Sequence, residues 1–297
     1  MAELKSELKS SQLELKSEIH AELKKVADRH GSIIDESTLN LCQRAVCVIA
    51  DHRDEQFEDP VGVCAFVTPK YAVTCAHNLI ATVAVGSLLR CWSVDLNNVV
   101  LVVVLKDENF DFAILALFDH EKRATHLSLL DTAVNKPSLG VQFVVAAYQI
   151  GIAEDLAEFP KLSLGVSQAS LVRLSANHLV YQTSTYSGDS GGSLTFQGGN
   201  VIGMHLAGVN ELKERRRTSS LDKSSSTKKR LRDVEESVRI VEDSVDSIIR
   251  GTAQGGVGLL AHVMLKSIIE LEAFDTKSVH CCTQEMGKTG TFMMCFV

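Results

Sequence analysis

Several ingredients are scarce here, and each scarcity removes a class of protein. Four prolines and one tryptophan among 297 residues leave no material for a proline-rich scaffold. No purely apolar run exceeds seven residues, the length of 99–105, whereas a bilayer-spanning helix needs roughly 20. Basic residues are outnumbered, 30 Lys+Arg against 37 Asp+Glu for a net charge of −7, so a globally basic nucleic-acid binder is not expected. Residues 1–29 are charged throughout and lack the apolar stretch of a secretory signal. An intracellular, cytoplasmic protein with free thiols is therefore expected. The eight cysteines, at 42, 47, 64, 75, 91, 281, 282 and 295, form no CxxC pairs and read as small buried hydrophobes. Neither a metal nor a cofactor is expected.

What is present is apolar material. The chain is 45% hydrophobic and 23% charged, enough for a large core and too much for wholesale disorder. Its length suits one large domain or two small lobes with appendages. In residues 1–31, Leu4, Leu8, Leu15, Ile19 and Val26 share a stripe, and the string at 3–8 recurs eleven residues later at 14–19. That period predicts an amphipathic helix suited to homo-oligomerisation, with a solvated helix as the plain alternative.

From residue 44 the texture becomes short β-rich segments at 44–51, 61–67, 71–76, 88–96, 99–105 and 112–117. A second series follows at 141–148, 162–172, 178–182, 192–196, 200–206 and 257–265. Two sets of six predict an all-β core of two successive β lobes, 40–135 and 136–275. A C-terminal helix at 266–274 and a tail at 276–297 complete the plan. Inside the second lobe, 211–255 reads as an insertion. Residues 211–232 hold nine Lys/Arg and three Asp/Glu around a serine-rich centre, a loop by composition. Val234, Val238, Val241, Val245 and Ile248 then step at helical intervals. The basic clusters 215–217 and 228–230 fit a bipartite nuclear-import signal, a gate, a lure for acidic substrates or a partner dock; the plain reading is a tolerated insertion.

Three motifs carry chemistry. The segment 72–77 runs as a strand into His77. Asp111 heads the apolar strand 112–117. The string Gly188-Asp189-Ser190-Gly191-Gly192 is a glycine-rich turn around a serine. A serine hydroxyl is a poor nucleophile until a neighbouring imidazole accepts its proton. A buried carboxylate fixes that imidazole's tautomer. The tetrahedral intermediate needs backbone donors aimed at its oxyanion, here the N–H groups of Gly188 and Ser190. Gly191 and Gly192 are expected to leave room for a substrate chain. Each motif alone has a bland alternative, but three in the order His, Asp, Ser on a two-lobed β frame do not.

On these residues the chain resembles a chymotrypsin-fold serine protease, closest to the disulfide-free branch of HtrA-type proteases and bacterial glutamyl endopeptidases. The resemblance covers about 44–210 and 256–274. It implies two six-stranded antiparallel barrels with His77 as general base, Asp111 as its orienter and Ser190 as nucleophile in the cleft between them. Two departures stand out. Asn78 follows the histidine where secreted trypsin-like members carry cysteine, and no Ile-Val-Gly-Gly terminus exists to pair with Asp189. Thr185 and His205 match the primary pocket of the glutamyl endopeptidases and of viral chymotrypsin-fold proteases. By that match, cleavage after Glu or Gln is expected. Ser184 in place of an aspartate disfavours a Lys/Arg pocket. The turn at 68–71 is expected to set Cys64 opposite Cys75, reduced or bridged. The expected function is a serine endopeptidase acting on protein or peptide substrates. The competing one is a catalytically inactive binding or scaffold module of the same fold.

Overall fold

The computed structural model describes residues 35–54, 60–79, 82–119, 121–149, 163–183, 189–209 and 255–274. The expected N-terminal helix, the insertion from 211 to 254 and the C-terminal tail lie outside these residues, as do Ser184, Thr185 and Gly188.

A helix, α1 (Glu36–Ala45), leads into β1 (Val46–Asp51), β2 (Pro60–Phe66), β3 (Tyr71–Thr74), β4 (Leu88–Trp92), β5 (Val99–Asp107) and β6 (Phe112–Leu117). These six strands close an antiparallel barrel in the order β1-β2-β3-β6-β5-β4. The second set is β7 (Ser128–Leu129), β8 (Gln142–Gln149), β9 (Ser163–Leu174), β10 (His178–Gln182), β11 (Ser193–Phe196), β12 (Asn200–Gly208) and β13 (Gly256–Leu260). Strands β8, β9, β10, β13, β12 and β11 form a closed antiparallel ring, sealed by β11 against β12, and β7 adds a parallel edge to β12. A second helix, α2 (261–274), follows β13 without a break. No helix among the described residues is long and apolar enough to cross a membrane.

The hydrophobic pattern explains the layering. Alternate residues of a strand face opposite ways. In β6, Ala113, Leu115 and Leu117 enter the first barrel's core, while Phe112, Ile114 and Ala116 face the second lobe. Both faces are buried, so the strand reads as an unbroken apolar run. The between-lobe core joins Val73, Ile114 and Phe112 to Val180, Leu206 and Leu259, and α2 covers it with Met264 and Ile268. The second barrel's own core centres on Phe143, Leu171, Leu179, Tyr181, Leu194 and Ile202.

Four details differ from the sequence expectation. Helix α1 was not foreseen; Asp35 caps it by accepting the Thr38 backbone N–H at 2.6 Å. Strand β7 is only two residues long and carries no pattern. The last strand ends at Leu260 and the helix starts at 261 rather than 266. Its first turn is fixed from outside, because Thr132 Oγ1 accepts the His262 N–H at 3.1 Å and pairs with His262 Nδ1 at 2.8 Å. Finally, Cys64 and Cys75 do not face each other. The β2–β3 register sets Ala65 against Val73, which offsets Cys75 by one place and sends its side chain elsewhere. Both thiols are free.

Candidate active site

Asp111 occupies the tight turn between β5 and β6 in the left-handed region, φ 55°, which aspartate tolerates better than most residues. From there it grips the loop after β3 at three points. Its carbonyl accepts the Ala76 N–H at 3.2 Å, Oδ1 accepts the His77 N–H at 2.9 Å, and Oδ2 lies 2.6 Å from His77 Nδ1. A carboxylate only accepts, so Nδ1 carries the proton and Nε2 is left with a lone pair. Asp111 is almost fully buried and His77 partly exposed, on a one-turn 3-10 helix (Ala76–Asn78). Burying a carboxylate is tolerable here because its oxygens meet these donors.

Ser190 comes from the other lobe, in the turn before β11. Its carbonyl accepts from Asn78 Nδ2 at 2.9 Å and from the Val63 N–H at 3.4 Å, both in the first lobe. Its hydroxyl donates to the Leu206 carbonyl at 2.9 Å. The glycines after it serve packing. Gly191 has φ +91°, and a Cβ there would lie 1.9 Å from the Val63 carbonyl oxygen. At Gly192 a Cβ would meet the Ala146 carbonyl at 2.8 Å. Close approach of backbone, rather than room for substrate, is what these two positions require.

His205 lies within β12 and is fully enclosed. Its N–H donates to the Gly192 carbonyl at 2.8 Å, and its own carbonyl accepts the Gly191 N–H at 2.9 Å and the Cys75 thiol at 3.2 Å. Its Nδ1 meets the Tyr181 hydroxyl at 2.5 Å. Burial, with a smaller push from His77, lowers the His205 imidazole to about 3, so it is neutral at pH 7. Burial, with Asp189 adding, raises the Tyr181 phenol well above its usual range, so it stays protonated. His178 is also held neutral by burial, pushed down to about 4 against the pull of Asp111, and its Nε2 has no partner among the described residues.

Among the described residues, two sets of side chains have donor types and spacing that could hold a metal ion, each within 4.8 Å: Cys47, Cys64 and Cys91, and Cys75, His77 and Asp111. The first trio fills the fully buried interior of the first barrel, contributed by β1, β2 and β4. In the second, His77 and Asp111 are already bonded to each other. Burial and the Asp111 charge both raise the Cys75 thiol well above its ordinary value, which keeps it protonated.

No protein-family model matches the chain, and no curated protein does. Solved structures do. A serine-to-alanine mutant of Rv3671c from M. tuberculosis H37Rv, in its inactive form, matches at TM-score 0.50 and 15% identity, over 82% of this chain and 93% of that one. The HtrA-type protease AlgW with a decapeptide matches at 0.49 and 14%, over 78% and 66%. The MamO protease domain from Magnetospirillum magneticum matches at 0.48 and 12%, over 77% and 98%. The chain has the chymotrypsin fold. At these identities the likeness is one of fold, the protease architecture of two packed barrels.

Of the residues singled out in the sequence, the structure brings His77 and Asp111 into direct contact and sets Ser190 against the residue that follows His77. Thr185 and Gly188 fall outside the described residues. Sequence reasoning missed Tyr181, whose only signal is a tyrosine in the short strand His178–Gln182. It noted Asn78 as a departure without assigning it a partner. The Cys47, Cys64 and Cys91 cluster was also invisible, because the three lie on separate strands.

Proposed function

We propose that this protein is a serine endopeptidase whose nucleophile, base and orienting acid are Ser190, His77 and Asp111. The observation that carries this reading is the 2.6 Å contact of Asp111 Oδ2 with His77 Nδ1, next to a serine whose carbonyl is bound by the neighbour of that histidine. With Nδ1–H held by the carboxylate, Nε2 keeps the lone pair needed to take the serine proton. The serine hydroxyl rotates about χ1 away from Leu206, gives its proton to Nε2 and attacks the scissile carbonyl. The N–H groups of Gly188 and Ser190 receive the oxyanion. Imidazolium protonates the departing amine, leaving an acyl-enzyme ester that water hydrolyses with the same base.

The substrate class follows from His205 and Thr185 in the primary pocket. A protonated phenol donating to Nδ1 leaves the ring proton of His205 on Nε2, a single neutral donor. A neutral donor matches a glutamine carbonyl, whereas a single N–H offsets only part of the cost of desolvating a glutamate carboxylate. Cleavage after Gln or Glu is expected, with Gln preferred.

The test joins a fluorophosphonate probe with peptide-library profiling. The wild type should label and cut after Gln, and Ser190→Ala should do neither. Dominant cutting after Lys, Arg or large aromatics would overturn the pocket assignment. The hydrogen bond from Ser190 to Leu206 favours a second reading, an inactive binding module with its serine turned away. A folded wild type that never labels establishes that one.

A further inference from the structure

We propose that the side-chain amide of Asn78 is a strut between the lobes that positions the nucleophile Ser190 against His77; this rests on the protease reading above. Asn78 is 8% exposed and sits one residue after His77. Its Nδ2 donates to the Ser190 carbonyl at 2.9 Å and to Thr74 Oγ1 at 3.1 Å. Thr74 Oγ1 in turn donates its hydrogen to the Val63 carbonyl at 2.6 Å, so it is available to Nδ2 only as an acceptor. Both hydrogens of the amide are therefore used, and the orientation of the group is fixed by its partners.

The strut completes a continuous path. Asp111 pins the backbone of 76 and 77, His77 leads directly to Asn78, and Asn78 holds the residue whose hydroxyl must reach His77. Besides the 3.4 Å bond from Val63, no other hydrogen bond among the described residues ends on the Ser190 carbonyl. The Asn78 amide and the Val63 N–H are thus the two hydrogen bonds from the first lobe to the nucleophile's backbone, and the amide makes the shorter of them.

Gly62 packs directly against the Asn78 amide. A Cβ at position 62 would lie 2.4 Å from Asn78 Nδ2, 2.5 Å from its Cγ and 3.0 Å from its Cβ, and these are the three nearest atoms. An alanine at 62 would push the amide off the Ser190 carbonyl while leaving its chemistry intact. That gives two independent ways of breaking the same bond.

The experiment is a double-mutant cycle on the full chain, with wild type, Asn78→Ala, Gly62→Ala and the double variant. Peptide-hydrolysis kinetics and fluorophosphonate labelling rates are read beside unfolding midpoints. Asn78→Ala should lower kcat about 10- to 100-fold with KM nearly unchanged, because a displaced nucleophile costs the chemical step and not binding. Gly62→Ala should lower kcat to a similar extent, yet add less than about 3-fold in the Asn78→Ala background, since contacting groups are not additive. Additive losses, a rise in KM at constant kcat, or wild-type kcat in Asn78→Ala would each overturn the strut. If the wild type neither cleaves nor labels, the protease reading fails instead. The same cycle read in unfolding midpoints then decides the strut: coupling between 62 and 78 sustains the contact, and additivity removes it.

Discussion

The two barrels share a strand count and a pleat but hold their polar groups in opposite ways. The first offers His77 and Asp111 at chain reversals, where unpaired backbone N–H groups are free to be gripped by a carboxylate. Its apolar interior also holds three thiols, and Thr74 and Ser93 are buried in the same lobe. The second buries His178, His205 and Tyr181 within its strands, and His205 Nδ1 is satisfied by the Tyr181 hydroxyl. A loop-borne group can be changed without opening a core. A strand-borne buried group is part of the core, so its chemistry and the fold's stability rise and fall together.

Three outcomes would sharpen or break that contrast. The largest is in the first lobe. His77→Ala should reduce kcat by about 10⁵-fold and Asp111→Asn by about 10⁴-fold, with unfolding midpoints close to wild type. Asparagine tolerates the left-handed turn at 111 and keeps an acceptor for the His77 N–H, but it can no longer hold Nδ1–H in the required tautomer. A large loss of stability in Asp111→Asn would mean that the loops are as integral as the strands.

The second outcome concerns pH and belongs to the second lobe. His178 and His205 are neutral in the folded state, pushed down to about 4 and about 3, while in the unfolded chain they titrate near 6.5. Between those values the unfolded state binds more protons, so stability is full above pH 6.5 and falls as pH drops towards 4. Each group contributes a slope approaching about 1.4 kcal/mol per pH unit. Denaturant midpoints from pH 7.5 to 4.5 check this, and a flat profile would contradict it.

The smallest effect is Tyr181→Phe. It leaves His205 Nδ1 buried without its phenol, which should cost about 1–3 kcal/mol of stability. It should also narrow the preference for Gln over Glu by several-fold, because Nδ1 loses the donor that holds the ring proton on Nε2. Unchanged selectivity on paired Gln and Glu peptides would detach Tyr181 from the pocket.

Much of this was legible in the chain itself. The run 112–117 is apolar without alternation because both of its faces are covered, and 99–105 belongs to a strand whose burial alternates. The spacing of His77, Asp111 and Ser190 fitted a two-lobed frame because each lies in a turn next to a strand end. Helix α1 was missed since its signal is one capping aspartate at the end of a long polar stretch. The boundary between β13 and α2 was misplaced because valine, leucine and methionine suit either conformation until Thr132 fixes the first turn.

Local chemistry determined the strands and the turns, since these depend on neighbours in sequence and on the backbone angles a residue can adopt. The partners of the functional side chains were decided only in three dimensions. Asn78 and Ser190 stand 112 residues apart, and Cys64 faces Cys47 and Cys91 instead of Cys75 through a one-residue difference in register. Strand pairing in a closed barrel is set by the shear of all six strands at once, and a shift of one place reverses every side chain. No local pattern encodes that choice.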